Sequence, residues 1–244
     1  MSHPGKTIVV SQPMFFPWIG LFEQIALADV FIHYDDVQLP QGRSFISRVQ
    51  LKNTDHQQTW LTAPIDRKHS GNLINESLIQ EDPSWKDKHL KTIQHLYSKA
   101  PFFLEMYEVV EQLYNHSETN LADFNIYAIE KISDWFGLRP TFKRSSDLDI
   151  KGHASERLCD ICLQEEATNY VTGLGALKYL NYDLFEQHNI RVEYIDYQKK
   201  PYAQLYGDFI PYVSIIDVMA NMGREGKKLM ISKSIYWKGF VHND

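Results

Sequence analysis

Apolar runs and turn-forming segments alternate at the start of the chain in the manner of an α/β sheet. The run Thr7 to Val10 predicts a strand, and the Pro-rich stretch at 13–17 predicts a turn into a helix. A second apolar run, Asp29 to Tyr34, predicts another strand, which ends on the adjacent carboxylates Asp35 and Asp36. A strand, a helix and a strand in this order favour a parallel pair of strands.

Apolar positions recur at helical spacing through most of residues 83–137. Pro101 separates the first predicted helix of this stretch from the second. Strands and helices alternate again from Thr141 to a last helix that ends at Met222. We therefore predict a single α/β domain over 1–244, with a largely parallel sheet, flanking helices and a central helical insertion at 83–137.

Two further apolar runs, at 45–51 and 59–65, also predict strands. Arg48 and Lys52 share a face of the first by their even spacing. Their side chains could together bind a phosphate or a carboxylate, with the arginine in bidentate fashion. The pair is therefore a candidate anion site.

The net charge and the apolar runs of the chain limit which partners and which cellular compartment we expect. The 244 residues carry a formal net charge of −6, so no global basic field favours DNA or RNA, and we expect no nucleic-acid partner. No apolar run approaches the roughly 20 residues of a membrane helix, and the first residues lack the apolar stretch of a signal peptide. We therefore expect a cytoplasmic protein without a membrane span.

Cys159 and Cys162 are the two cysteines, and both lie in the predicted helix 154–166. A tetrahedral zinc site would need further ligands from elsewhere in the chain. A redox motif of this spacing normally sits where a helix begins after a strand, not in the middle of a helix. We expect buried structural thiols and predict no metal site.

Polar groups that follow the first two strands form the candidate site. Ligands of such sheets bind in the crevice at the carboxyl ends of the strands, where Gln12, Asp35 and Asp36 would lie. Adjacent side chains of an extended chain face opposite ways, so we expect only one carboxylate to face the crevice, as a general base. His89, on the predicted helix 85–98, is a second candidate for acid–base chemistry.

Thr172 and Gly173 follow one of the later predicted strands and precede a helix. Backbone amides at such a turn can contact phosphate. Because the segment lacks the full spacing of a Gly-rich nucleotide motif, it indicates a substrate contact and not a complete nucleotide cradle.

These segments together resemble the WbqC-like proteins of bacterial surface-polysaccharide gene clusters over nearly the whole chain. The family's typical Asn-Arg-Asn reads Ser47-Arg48-Val49 here, which loses two amides and puts any amide-mediated substrate contact there in doubt. The family's Ser-Gly reads Thr172-Gly173, which keeps a hydroxyl. The motifs that carry the resemblance are Gln12-Pro13 with Phe16-Pro17-Trp18-Ile19-Gly20, Asp29-Val30-Phe31, Asp35-Asp36-Val37-Gln38, Trp60-Leu61 with Pro64, Trp85 with His89 and Tyr97, Tyr170 with Thr172-Gly173, Tyr179-Leu180, Tyr202 with Gln204, and Ser214-Ile215-Ile216-Asp217.

The resemblance implies substrate-binding residues beyond those that the pattern of the chain indicates. Tyr97, Tyr170, Gln204 and Asp217 belong to its motifs. The full predicted substrate-binding set is Gln12, Arg48, Lys52, Tyr97, Tyr170, Thr172, Gly173, Gln204 and Asp217.

The resemblance further implies a role in building the modified sugars of O-antigens (lipopolysaccharide) or related glycans. Our leading hypothesis is the transfer of an acyl or aminoacyl group, for example glycyl, to the amine of a nucleotide-linked amino sugar. Asp35 or Asp36, assisted by His89, would be the base, and Gln12 or Thr172 would stabilise the oxyanion. Arg48 and Lys52 would hold the diphosphate of the nucleotide. The reaction requires no cofactor beyond a donor thioester, on an acyl carrier protein or on CoA.

Two other functions remain open at this point. In a glycosyltransferase, Asp35 and Asp36 would stand for a metal-binding carboxylate pair. A non-catalytic module would bind a sugar nucleotide or a carrier protein without turnover.

Overall fold

A six-stranded sheet forms the framework of the computed structural model, which describes residues 5–42, 44–53 and 58–241. Its strands are β1 (Thr7–Ser11), β2 (Val30–His33), β5 (Thr141–Arg144), β6 (Asn169–Thr172), β7 (Arg191–Asp196) and β8 (Lys233–Tyr236). They lie in the order β5-β2-β1-β6-β7-β8, and every neighbouring pair is parallel except the last, in which β8 runs antiparallel to β7. The predicted α/β fold with a largely parallel sheet is confirmed.

Helices cover both faces of the sheet, and this explains why its central strands are apolar on both sides. Val9, Phe31 and Val171 point to one face, while Ile8 and Tyr170 point to the other. The helices are α1 (Ile19–Leu27), α2 (Ser84–Tyr97), α3 (Phe103–Asn115), α4 (Leu121–Trp135), α5 (Ala154–Gln164), α6 (Tyr182–Gln187), α7 (Ile215–Met222) and α8 (Trp237–Val241).

The predicted helical insertion is confirmed as α2, α3 and α4, which lie between β2 and β5. Its apolar residues Ile93, Val110 and Ile129 belong to the same buried cluster as Val9 and Phe31 of the sheet. The insertion therefore shares the hydrophobic core of the first face. On the second face, α5 carries both cysteines as free, buried thiols whose pKa burial raises.

Two predicted strands lie outside the main sheet. Residues 48–52 and 58–62 form a separate antiparallel pair, β3 (Arg48–Lys52) and β4 (Gln58–Thr62). Arg48 therefore lies on this separate pair and not on the main sheet, whose first strand precedes Gln12. Periodicity identifies a strand but not its pairing partner, which depends on contacts distant in the chain.

Asn125 of α4 attaches the insertion to the turn between β1 and α1. Its fully buried amide nitrogen donates to the carbonyls of Pro13, at 3.0 Å, and of Ile46, at 2.8 Å. Both acceptors lie in irregular backbone, so a side chain must satisfy them. Asn125 therefore holds the Pro-rich turn against the segment that leads into β3.

Replacing Asn125 with Leu should lower the free energy of unfolding by about 2 to 4 kcal/mol, because two buried carbonyls lose their donor. Urea denaturation measures the change. Asn115→Leu at the exposed end of α3 is the matched control and should stay within about 0.5 kcal/mol of the parent. Equal losses in the two variants would contradict the role of Asn125.

Candidate functional site

The order in which the chain adds strands to the sheet changes direction at β1. From β1 it builds outward through β2 to β5, then returns to place β6 and β7 on the other side of β1. In open parallel sheets the loops diverge at such a switch point and leave a crevice at the carboxyl ends of the strands. A ligand site is therefore expected at the ends of β1, β6 and β2.

A cavity of about 410 Å³ lies at this switch point. Gln12 follows β1, while Thr172 and Gly173 lie at the end of β6, and all three line the cavity. Tyr170 also lines it, fully buried, with its hydroxyl 3.4 Å from the Thr172 hydroxyl oxygen. Four predicted site residues thus meet in one place.

A second cavity, of about 440 Å³, extends the first toward the end of β2. The two cavities share the side chains of Tyr34, Leu158 and Tyr179 as walls. Asp36 and Arg157 line only the second. We call the two cavities together the groove.

Asp36 and Arg157 form a largely buried ion pair in the groove. Arg157 also donates from Nε to the carbonyl of Ile150, at 2.9 Å, and its guanidinium carbon lies 5.1 Å from the centre of the Tyr34 ring. The Ser145 hydroxyl donates to Asp36 at 2.6 Å. Burial acts to raise the pKa of Asp36, but the bonds from Arg157 and Ser145 outweigh it and hold that pKa below its ordinary value. Asp36 is therefore an ionised carboxylate at neutral pH.

Asp35 is 1% exposed and, unlike Asp36, does not line the groove. It accepts hydrogen bonds from the Ser146 backbone amide, at 3.1 Å, and from the Ser146 hydroxyl, at 2.8 Å. The two adjacent carboxylates thus occupy different environments, one facing the groove and one attaching β2 to the short turn after β5.

Several residues of the groove were not among the predicted site residues: Tyr34, Gln24, Arg157 and Tyr179. The sequence carried a signal for Arg157, because it falls on the apolar face of α5 beside Leu158 and Ile161. A charged residue on a buried helix face needs a partner of opposite charge. The position of Tyr34, next to the two carboxylates, was a weaker signal.

Four other predicted residues meet in a separate buried network that does not line the groove. Asp217 accepts from the hydroxyls of Tyr97, at 3.0 Å, and Tyr202, at 2.7 Å. Gln204 donates to the Tyr202 hydroxyl at 3.0 Å and accepts from Lys52 at 3.2 Å. Burial raises the pKa of Asp217 and lowers that of Lys52, and the hydrogen bonds and opposite charges of the network oppose both shifts.

This network attaches the irregular segment before α7 to the core. Lys52, 1% exposed, also donates to the carbonyls of Gly207, at 3.2 Å, and of Asp208. The hypothesis that Lys52 and Arg48 hold one anion does not agree with this geometry. The guanidinium carbon of Arg48 lies 3.4 Å from the centre of the Trp60 ring on the β3–β4 pair, whereas Lys52 is enclosed by backbone.

His89 also lies away from the groove, inside the helical insertion. Its Nδ1 is 2.9 Å from the Tyr114 hydroxyl, and its Nε2 accepts from the Thr62 amide at 3.3 Å. The rings of Phe15 and Trp85 pack against it at centroid distances of 6.0 and 5.2 Å. Both ring nitrogens are used within the core, so the geometry does not join His89 to Asp36.

Within residues 5–42, 44–53 and 58–241, no three His, Cys, Asp or Glu side chains are grouped so that they could hold a metal ion. No helix in this part of the chain is long and apolar enough to cross a membrane.

The amino-acid sequence is similar to a known protein family and to a mycobacterial protein. The sequence model of the WbqC-like protein family matches residues 12–229. An uncharacterized protein of Mycobacterium tuberculosis (strain ATCC 25618 / H37Rv) is 33% identical over 223 residues, which cover 90% of this chain and 95% of the relative. No solved structure matches the chain.

The environment of His89 predicts a pH dependence of stability. Burial lowers its pKa from 6.5 to about 4, so the unfolded chain binds a proton there that the folded chain does not. The contribution of neutral His89 to the free energy of unfolding is therefore complete above pH 6.5. As the pH falls toward 4, the free energy of unfolding decreases by roughly 2 to 3 kcal/mol through this histidine.

Unfolding by urea at pH 7 and pH 4.5 measures this dependence. His89→Gln should weaken the loss of stability on acidification, whereas His95→Gln, on the exposed face of the same helix, should leave it as in the parent. An unchanged pH dependence in His89→Gln would show that this histidine does not supply the effect.

Proposed function

The chain belongs to the WbqC-like protein family, and we propose that it transfers an acyl or aminoacyl group to the amine of a nucleotide-linked amino sugar in surface-polysaccharide biosynthesis. One observation carries the proposal: an ionised carboxylate, Asp36, opens onto a tyrosine-walled groove at the switch point of the sheet. An amino sugar offers an ammonium group for such a carboxylate and apolar ring faces for the tyrosines.

Asp36 binds the ammonium group and directs it toward the donor in this proposal. Free Asp36 is a weak base because its pKa is lowered. The bound ammonium group first releases one proton to solvent, and the neutral amine nitrogen then attacks the thioester carbonyl. The nitrogen acquires a positive charge in the tetrahedral adduct, which makes its remaining proton far more acidic. Asp36 then accepts the proton as the C–N bond forms, which is general-base catalysis by a carboxylate.

Gln12 and Thr172 are the proposed oxyanion donors. They line the same part of the groove, one at the end of each central strand, and each carries a side-chain N–H or O–H group. As the thioester carbonyl is attacked, donors placed there stabilise the charge on its oxygen, and collapse of the adduct expels the thiolate. The thioester donor, on an acyl carrier protein or on CoA, is part of the proposal.

Arg157 replaces Arg48 and Lys52 as the proposed contact for the substrate diphosphate. It lies in the groove beside Asp36, whereas the other two side chains lie elsewhere. A guanidinium group offers several N–H donors in a fork that matches phosphate oxygens. The Asp36–Arg157 pair thus suits a substrate that carries an ammonium group and an anionic group together.

Mass spectrometry of nucleotide-linked amino sugars incubated with the protein and a series of acyl thioesters tests the reaction. The sugar nucleotide should gain the mass of the acyl group and lose its free amine. The matched control is the sugar nucleotide with a hydroxyl in place of the amine, which should stay unchanged. Saturable binding without a mass gain would instead support a non-catalytic module, and release of the nucleoside diphosphate with sugar transfer would support a glycosyltransferase.

Asp36→Asn should lower turnover by roughly 100-fold or more, since the amide accepts no proton. Asp35→Asn should affect turnover less, because Asp35 accepts hydrogen bonds from Ser146 and does not line the groove. Exposed Asp147→Asn, on the same short turn, is the control. Steady-state rates with thermal melts separate lost chemistry from lost folding. Near-parent turnover in Asp36→Asn would remove this carboxylate from the mechanism.

A further inference from the structure

A polar cavity of about 300 Å³ lies in the helical insertion, and we call it the insertion cavity. Helices α3 and α4, the residues that follow α4 and the turn that follows α7 enclose it. Its charged and aromatic lining residues are Tyr127, Lys131, Asp134, Trp135, Arg139 and Arg224.

The insertion cavity is separate from the groove. Trp135 ends α4, and Arg139 precedes the start of β5 at Thr141, so both lie at the amino-terminal edge of the parallel strands. The groove lies at the carboxyl-terminal edge, where Gln12 and Thr172 line it. No residue lines both places.

The lining of the insertion cavity is positive, although the chain as a whole is negative. Lys131, Arg139 and Arg224 face a single carboxylate, that of Asp134, whereas the whole chain has a formal charge of −6. Three cations around one concave surface raise the local positive potential and attract anions.

Aromatic rings and a backbone carbonyl contact two of these three cations. The guanidinium of Arg224 donates to the carbonyl of Trp135 at 2.6 Å and lies 5.0 Å from the centre of the Trp135 ring. The ammonium of Lys131 lies 5.5 Å from the centre of the Tyr127 ring. Side chains held against aromatic rings lose less conformational freedom when a ligand arrives.

Arg139 can exchange its present partner for a ligand. It pairs with Asp134 at 3.1 Å, but the two side chains are 78% and 67% exposed to solvent. Exposed pairs of this kind contribute little free energy. An anion of higher charge density would therefore compete with Asp134 for the guanidinium.

Part of this positive charge has a structural role. Arg224 satisfies the carbonyl of Trp135, and Lys227, outside the cavity, satisfies that of Gly137 at 2.9 Å, so both stabilise the carboxyl end of α4. Arg224 uses one of its five N–H groups in this way. The remaining donors, with Lys131 and Arg139, are the groups that would bind a ligand.

From this arrangement we infer that the insertion cavity binds a diphosphate group. Two guanidinium groups and an ammonium match the several oxygens and multiple charge of a diphosphate, and arginine forks bind phosphate in bidentate fashion. The inference does not depend on the proposed transferase activity. The diphosphate could belong to a soluble nucleotide or to the headgroup of a lipid, and the two sources share the same recognition chemistry.

Isothermal titration with inorganic pyrophosphate at low ionic strength tests the site. The parent protein should bind in a saturable manner, and added salt should weaken the affinity. The double variant Lys131→Gln with Arg139→Gln leaves the Arg224 cap intact and should bind roughly tenfold more weakly or worse. Asp134→Asn removes the competing carboxylate and should bind more tightly.

Lys228→Gln is the matched control, because Lys228 is an exposed lysine paired with Glu225 outside the cavity. It should bind pyrophosphate as the parent does. Absence of saturable binding, or equal affinities in the parent and the double variant, would overturn the inference. Loss of pyrophosphate binding in Arg157→Gln, but not in the double variant, would place pyrophosphate in the groove and also overturn it.

Two further titrations identify the source of the diphosphate once the site is established. One uses a nucleoside diphosphate, and the other uses vesicles that contain a lipid with a diphosphate headgroup. In either arm the double variant should lose the interaction and the Lys228→Gln control should keep it. If the double variant binds one of these ligands as tightly as the parent does, that ligand binds at another surface. Such a result would count against the insertion cavity as its site.

Discussion

The pairing of β1 with β2 on one side and with β6 on the other is the constraint on which the groove depends. Val10 pairs with Ile32, and Val9 pairs with Val171, so the three strands end at nearly the same level. Packing on both faces specifies this register, because a slip by one residue would move every side chain of the strand to the opposite face and against different partners. Gln12 and Thr172 therefore reach the same cavity through core packing and not through any contact between themselves.

The Asp36–Arg157 pair then joins this sheet edge to α5. Removing a largely buried guanidinium from water is costly, and Asp36 and the Ile150 carbonyl compensate for it. The same pair supplies the charges of the groove. In the proposed reaction the same two side chains serve both structure and recognition, so we expect a substitution there to act on folding and on ligand binding together.

The sequence predicts local elements well because the α/β sheet and the insertion rest on clear periodicity and on Pro and Gly signals. It predicts less of what depends on distant contacts. Even spacing correctly put Arg48 and Lys52 on one strand, yet it could not indicate that carbonyls about 155 residues away would enclose Lys52. The residues of β8 carry no pattern that distinguishes a strand from a loop. They form a strand because they pair with β7, which lies about 40 residues earlier in the chain.

The motifs that carry the family resemblance divide by environment into two groups. Gln12, Asp36 and Thr172 line the groove, whereas Tyr97, Gln204 and Asp217 satisfy one another in the buried network. A residue type shared with a family can therefore reflect the fold as readily as the chemistry. Only contact with a cavity separates the two roles, and by that criterion the groove residues are the ones to which a chemical role can be assigned.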